Sequence, residues 1–253
     1  MRLACGKYAA PSTLPRLTVR SYRLMDYFYT AFHQAHVNGS PILNPLWFKY
    51  PKDNNTFGIQ YQFFYGDSIL VSPVLDEGST SVSIYLPKDI FYDFLTLAPF
   101  QGTGSTMTLT NITLTQIPVH IKGGAILPLR ISTAMTTSAL RKTDLELVVA
   151  PDMRSAASGK LYFDDGESII PEDTTEVEMS YGDGKLTVDG SFNYSLGVNI
   201  NRVKFLGISA VPRVVSIDGK DVESTLVSYD SVNKVLVVTI GQPFVTGFEL
   251  SFS

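Results

Sequence analysis

The chain has 253 residues, 44% of them hydrophobic and 17% charged, with a formal net charge of -4. That length accommodates one large domain or two medium ones, and scattered Lys and Arg exclude the basic footprint of a nucleic-acid or anionic-lipid binder. No run approaches the roughly 18 apolar residues of a membrane-spanning helix, so neither nucleic acid nor a membrane is expected as a partner.

The opening "MRLACGKYAAPSTLPRL" is interrupted by Lys7, Pro11 and Pro15 and lacks the apolar core of a signal peptide. Cys5 is the single cysteine, which excludes a disulfide within the chain and a cysteine zinc site and leaves an incidental or structural thiol. From Thr13 to His36, Leu17, Leu24, Met25, Phe28, Tyr29 and Phe32 recur at spacings of three, four and seven and predict an amphipathic helix. Ser12 or Thr13 supplies an N-cap, and Gly39 a C-terminal stop after His33 and His36. The face of Leu24, Met25, Phe28 and Phe32 requires a large packing partner and is expected to stand exposed without one.

After Pro41 the periodicity changes. "SVSIYLP" alternates Val82, Ile84 and Leu86 with polar neighbours, as a half-buried strand does. Further β-prone runs fall at 68–74, 107–114, 117–121, 124–129, 144–150, 159–164, 175–181, 185–189, 198–206, 213–217, 234–240 and 247–252. Gly182-Asp183-Gly184 and Asp218-Gly219 carry hairpin-turn chemistry. The polar stretch "RISTAMTTSALRKT" at 130–143 marks a soft boundary. The expectation is a mainly β chain: a leading segment 1–39 with its helix, then antiparallel β domains at 40–130 and 131–253.

Chemistry-bearing residues are few. "GKLYFDDGES" places Asp164, Asp165 and Glu167 within four positions, which raises a catalytic acid pair, a metal loop or a turn. The stretch lacks the alternating ligands and terminal Glu of a helix–loop–helix calcium site. Glycosidase carboxyls normally come from separate segments across a cleft, so Asp-Gly between strands reads first as a turn. His33 and His36, three apart on the helix, have the spacing of shared metal ligands but no carboxylate to complete the set, and His120 stands alone. Trp47, Phe48, Tyr50, Tyr61, Phe63, Phe64 and Tyr65 form an aromatic-dense stretch, read as core before sugar platform. Phosphate-loop and dinucleotide fingerprints are absent. Asn38, Asn54, Asn111 and Asn193 head Asn-x-Ser/Thr sequons and are candidate N-glycosylation sites.

Five stretches taken together resemble the C-terminal part of glycoside hydrolase family 31, the α-glucosidase family, and are closest to secreted fungal members. They are "SYRLMDYFYTAFHQAHVNGSPILNPLWFKYPKD", "QYQFFYGDSILVSPVLDEG", "VSIYLPKDIFYDF", "IPVHIKGGAILPL" and "GKLYFDDGES". The resemblance implies that the helix is the last of a catalytic (β/α)8 barrel, followed by a proximal and a distal β-sandwich. It also implies an exported parent enzyme that hydrolyses terminal α-linked glucose in oligosaccharides with retention, without metal or cofactor. The two catalytic aspartates would lie on barrel strands upstream, and no segment here matches their motifs, so no catalytic residue is assigned. The chain alone is then expected to be inactive, its partner the barrel of the same protein. Asn44 stands where many members carry Arg, and residues 1–20 match the family poorly. A carbohydrate-binding or interaction module is the alternative, and a self-contained hydrolase using Asp164, Asp165 or Glu167 a third reading.

Overall fold

The structure, a computed structural model, describes residues 22–253. Cys5, Leu17 and the expected N-caps Ser12 and Thr13 lie outside the described residues. Helix α1 spans Met25–Asn38. It ends where expected, at Gly39, whose φ of 74° turns the chain left-handed while its N–H returns to the Ala35 carbonyl at 2.9 Å.

The next segment holds eight short strands: β1 (Leu43–Pro45), β2 (Phe63–Tyr65), β3 (Ile69–Val71), β4 (Val82–Leu86), β5 (Ile90–Asp93), β6 (Pro99–Gln101), β7 (Ser105–Leu109) and β8 (Val119–Lys122). Six form an antiparallel sheet in the order β1-β2-β3-β8-β5-β6, while β4 and β7 pair separately. A short helix, α2 (Leu46–Lys49), follows β1 and buries Leu46 beside Phe64, Leu70, Ile84, Leu86 and Phe91.

The remainder builds one large mixed sheet. Its strands are β9 (Ala125–Arg130), β10 (Leu145–Ala150), β11 (Ala157–Phe163), β12 (Thr175–Gly182), β13 (Lys185–Phe192), β14 (Asn199–Leu206), β15 (Val215–Ile217), β16 (Lys220–Asp221), β17 (Val227–Asp230), β18 (Val235–Pro243) and β19 (Phe248–Phe252). They run in the order β16-β15-β19-β13-β12-β11-β9-β10-β14-β18-β17. The sheet curls around an apolar interior that joins Leu147, Leu161, Val188, Phe205, Leu236 and Leu250 from six different strands. The β12–β13 and β15–β16 turns place Asp183 at φ 51° and Asp218 at φ 50°, each followed by a left-handed Gly, as the turn residues predict.

The purely antiparallel expectation needs correction for this sheet. Strand β10 pairs parallel with β14, and β9 meets β11 parallel at Ser158↔Ala125. The physical reason lies in the sheet's centre: β9 and β10 are buried along their whole length, the condition under which parallel pairing is favoured. Strand β9, although contiguous in chain with the first sheet, hydrogen-bonds into the second along Ala125↔Ala150 to Arg130↔Leu145.

Helix α1 packs on β9 and β11. The expectation of an exposed apolar helix face is therefore largely overturned. Leu24 is buried, and Met25 and Phe28 are half-buried; Phe28 lies with its ring centroid 4.0 Å from that of Tyr65. Only Phe32 of that group stays open, at 55% exposure.

Candidate functional site

The polar side chains with the most contacts gather where α1 meets the large sheet. Asp26 and Arg130 are both buried there, and Arg130 is fully inaccessible. Its Nε and Nη2 donate to the two Asp26 oxygens at 2.5 and 2.8 Å, a bidentate pair. The remaining Nη1 donates to the carbonyls of Arg141 (2.9 Å) and Thr143, and the guanidinium lies 5.6 Å from the Phe163 ring centroid. One side chain thus ties helix, strand and the following loop together.

Glu146, on the neighbouring strand, is also inaccessible and faces three cations, Arg23, Arg202 and Lys204. Burial raises its pKa, but Lys204, Arg23 and Arg202 together outweigh that and hold the carboxyl below its ordinary value. Burial pushes the Lys204 ammonium down, as do Arg202 and Arg23, against the pull of Glu146. Three cations share one carboxylate, which leaves a local excess of positive charge.

The "DDGES" stretch sits at the same junction, and its two aspartates have separate jobs. Asp164 is buried and accepts from Tyr29 Oη at 2.7 and 2.8 Å and from the Gly166 amide at 2.8 Å. Arg141 holds the Asp164 carbonyl from the other side. Asp165 faces solvent and closes its own turn, with Oδ1 accepting from the Glu167 and Ser168 amides at 3.0 and 2.9 Å. The Ser168 hydroxyl, then those amides, pull its pKa down to about 2. A glycosidase general acid needs the opposite shift, and the Glu167 side chain is exposed, its carboxylate without a partner among the described residues.

The histidines make no metal set. His33 stacks on Tyr162 with ring centroids 3.5 Å apart and an interplanar angle of 6°, and its Nε2 lies 3.9 Å from Glu176 Oε1. His36 is exposed. His120 is buried in the first sheet, with Nδ1 unpartnered, and burial lowers its pKa against the opposing influence of Asp93. Among the described residues no group of three or more His, Cys, Asp or Glu side chains could hold a metal ion, and no described helix is long and apolar enough to cross a membrane.

The aromatic stretch divides. Phe64 is fully buried and Tyr50, Phe63 and Tyr65 are half-buried, as expected. Trp47, Phe48 and Tyr61 are exposed at 44%, 49% and 66%. Trp47 and Phe48 meet edge-on at 66°, so their rings do not form one flat platform. Asn44 is buried, donating to the Pro41 and Gly66 carbonyls, each at 3.0 Å, with Oδ1 unpartnered. Tyr27, on α1, bonds the Tyr65 carbonyl at 2.9 Å and receives the Ser68 amide at 3.0 Å. Gly66 makes room for it, since a Cβ there would lie 2.4 Å from the Tyr27 hydroxyl. Sequence patterning singled out neither Arg130, Asp26 nor Glu146. Their only advance signal is charge inside otherwise apolar runs, as in "AILPLR" and "LELVVA".

Known proteins share parts of this chain. Residues 39–127 match the glycosyl hydrolase family 31 C-terminal domain. A probable alpha/beta-glucosidase of Aspergillus fumigatus is 54% identical over 189 residues, covering 75% of this chain and 22% of that protein. A probable alpha/beta-glucosidase of Aspergillus clavatus is 48% identical over 208 residues, 82% of this chain and 23% of that protein. The crystal structure of a Tris-bound glucosidase II alpha subunit superposes with a TM-score of 0.81 at 26% identity, over 92% of this chain and 28% of that one. The chain therefore spans about a fifth of the length of the curated relatives it matches. Together, the matches and the shared fold make this chain homologous to the C-terminal region of fungal alpha/beta-glucosidases, within glycosyl hydrolase family 31.

Proposed function

We propose that the chain supplies supporting C-terminal domains to a retaining α-glucosidase-type enzyme that releases terminal α-linked glucose from oligosaccharides. In this reading α1 is the last helix of a catalytic (β/α)8 barrel. Residues 40–130 then form a proximal sandwich and 131–253 a distal one, with β9 giving its hydrogen bonds to the distal sheet. The barrel carries both catalytic aspartates and is the partner of this chain; the parent is exported, and Asn38, Asn54, Asn111 and Asn193 are its glycosylation candidates. No metal or cofactor is assigned.

One observation carries the reading: apart from exposed Glu167, the clustered carboxylates at the junction are engaged in structural bonds. Asp26, Glu146 and Asp164 hold cations, a tyrosine and backbone groups, and Asp165 closes a turn. A retaining pair would need two carboxyls about 5–5.5 Å apart across an open cleft, one of them with a raised pKa. The similarity to much longer glucosidases supports the substrate class. A second reading, a carbohydrate-binding module, draws on exposed Trp47, Phe48 and Tyr61, but the edge-on Trp47–Phe48 geometry counts against a stacking platform.

The test is glucose release from maltose and an aryl α-glucoside by the purified chain. The expected result is a folded, β-rich protein without turnover. Turnover that disappears in Asp164→Asn or Glu167→Gln would overturn the reading and place an active site in the "DDGES" turn.

A further inference from the structure

Along α1 a cleft of about 880 Å³ opens between the helix, the turns around Gly66–Ser68 and Lys122–Gly124, and the outer face of the large sheet. A cleft of that size suits a ligand of a few rings. Its floor carries two cross-strand rows on the face opposite the apolar interior. Ser158, Ser180 and Thr187 are register partners across β11, β12 and β13, and so are Lys160, Glu178 and Asp189. The first row presents three hydroxyls that make no hydrogen bond among the described residues; the second presents charges, of which Lys160 and Glu178 pair at 2.6 Å. Adjacent rows of hydroxyl and charged groups match the hydrogen-bonding pattern of a polyhydroxylated ligand.

The helix wall of this cleft ends in Asn38, the first residue of the sequon Asn38-Gly39-Ser40. Asn38 is exposed, its Oδ1 accepts the Ser40 amide at 2.9 Å, and its Nδ2 makes a single long bond of 3.4 Å to Gln34, which also lines the cleft. An N-linked amide keeps one N–H. Asn54, Asn111 and Asn193 are exposed as well, but none of them lines this cleft.

We infer that Asn38 carries an N-linked glycan whose first sugars lie in this cleft, along the Ser158–Ser180–Thr187 and Lys160–Glu178–Asp189 rows, and lock α1 to the sheet. The inference rests on export of the protein, which the experiment supplies: the full chain is produced behind a secretion leader in a glycosylating yeast. Site occupancy is read by glycopeptide mass spectrometry and glycan accessibility by endoglycosidase digestion of the native protein. The expected result is an occupied Asn38 whose glycan is released at least about tenfold more slowly than glycans at the other sequons, a factor equivalent to about 1.4 kcal/mol of packing. Ser180→Lys, on the cleft floor, should abolish that protection; Thr187→Lys serves if the first variant is not secreted. Ser40→Ala should remove this glycan alone and lower Tm. An unoccupied Asn38, or release as fast as at the other sequons, overturns the inference. So does protection that persists in a secreted Ser180→Lys or Thr187→Lys variant. None of these outcomes bears on the α-glucosidase reading, which the glucose assay judges separately.

Discussion

The interior of the large sheet and the junction beneath α1 are built from opposite materials. Leu147, Leu161, Val188, Phe205 and Leu236 fill the first with hydrocarbon alone. Charge organises the second, through Asp26 with Arg130 and Glu146 with Arg23, Arg202 and Lys204. An apolar interior is stabilised in proportion to area and accepts many arrangements of similar volume. A buried guanidinium with each nitrogen committed accepts one. The difference teaches that the sheet's interior supplies stability, while the junction sets where the helix sits.

The largest expected effect breaks the junction at one partner. Asp26→Ala strands the Arg130 charge and should cost about 3–5 kcal/mol, whereas Asp26→Leu combined with Arg130→Met should recover much of that loss. Urea denaturation of Asp26→Leu, Arg130→Met and the double forms the cycle, and additive losses would show that the pair is not a unit. Leu147→Ala in the sheet interior should cost about 2–5 kcal/mol and add simply to Asp26→Ala only if the two regions are independent.

Acid separates the regions next, because the apolar interior holds no carboxylate or histidine to titrate. The folded Glu146 pKa lies below 4.5, so its contribution is full above pH 4.5 and is lost as pH falls through the folded value. His120, folded below 6.5, adds a loss that begins as pH drops under 6.5. Stability should therefore decline in two stages, and Glu146→Gln should flatten the lower one. A flat profile between pH 7 and 3 would contradict both assignments.

A smaller effect is expected from Tyr29→Phe, which removes the donor to Asp164 and should cost about 1.5–3 kcal/mol, the range for bonds to charged groups. Lys160→Ala, at an exposed ion pair, should leave the Tm of the unglycosylated chain unchanged. A clear loss there would mean that surface charge contributes to the sheet as well.

Much of this division was legible in the chain. Strands with clean alternation or long β-prone runs, such as Val82–Leu86, Thr175–Gly182 and Asn199–Leu206, fall where the pattern places them. So do the Asp-Gly hairpins and the Gly39 stop. The three-residue strands Leu43–Pro45, Phe63–Tyr65 and Pro99–Gln101 escape, being too short to show a period. Val227–Asp230 escapes as a partly exposed edge strand. The "DDGES" turn is read correctly from Asp-Gly chemistry, yet the burial of Asp164 is not, because its partner Tyr29 is 135 positions away. Arg130 and Glu146 are legible only once the fold gives them partners, since period and propensity carry no information about pairing at that distance.

The parallel β10–β14 pair has a consequence for how the chain acquires its shape. Every strand from β11 to β13 is made between β10 and its partner, so the middle of the sheet stays open until residue 206 has emerged. Contacts of such separation close slowly, because the loop entropy comes due before the pairing rewards it. The β11–β12–β13 meander, joined by local turns, can form first and wait. Helix α1 is synthesised earliest among these elements, yet it finds the acceptor of Tyr29 only after residue 164 appears. The first described element of the chain thus waits for residue 164 before its Tyr29 bond can form, and a folding phase that follows the β9–β11 segment should report its docking.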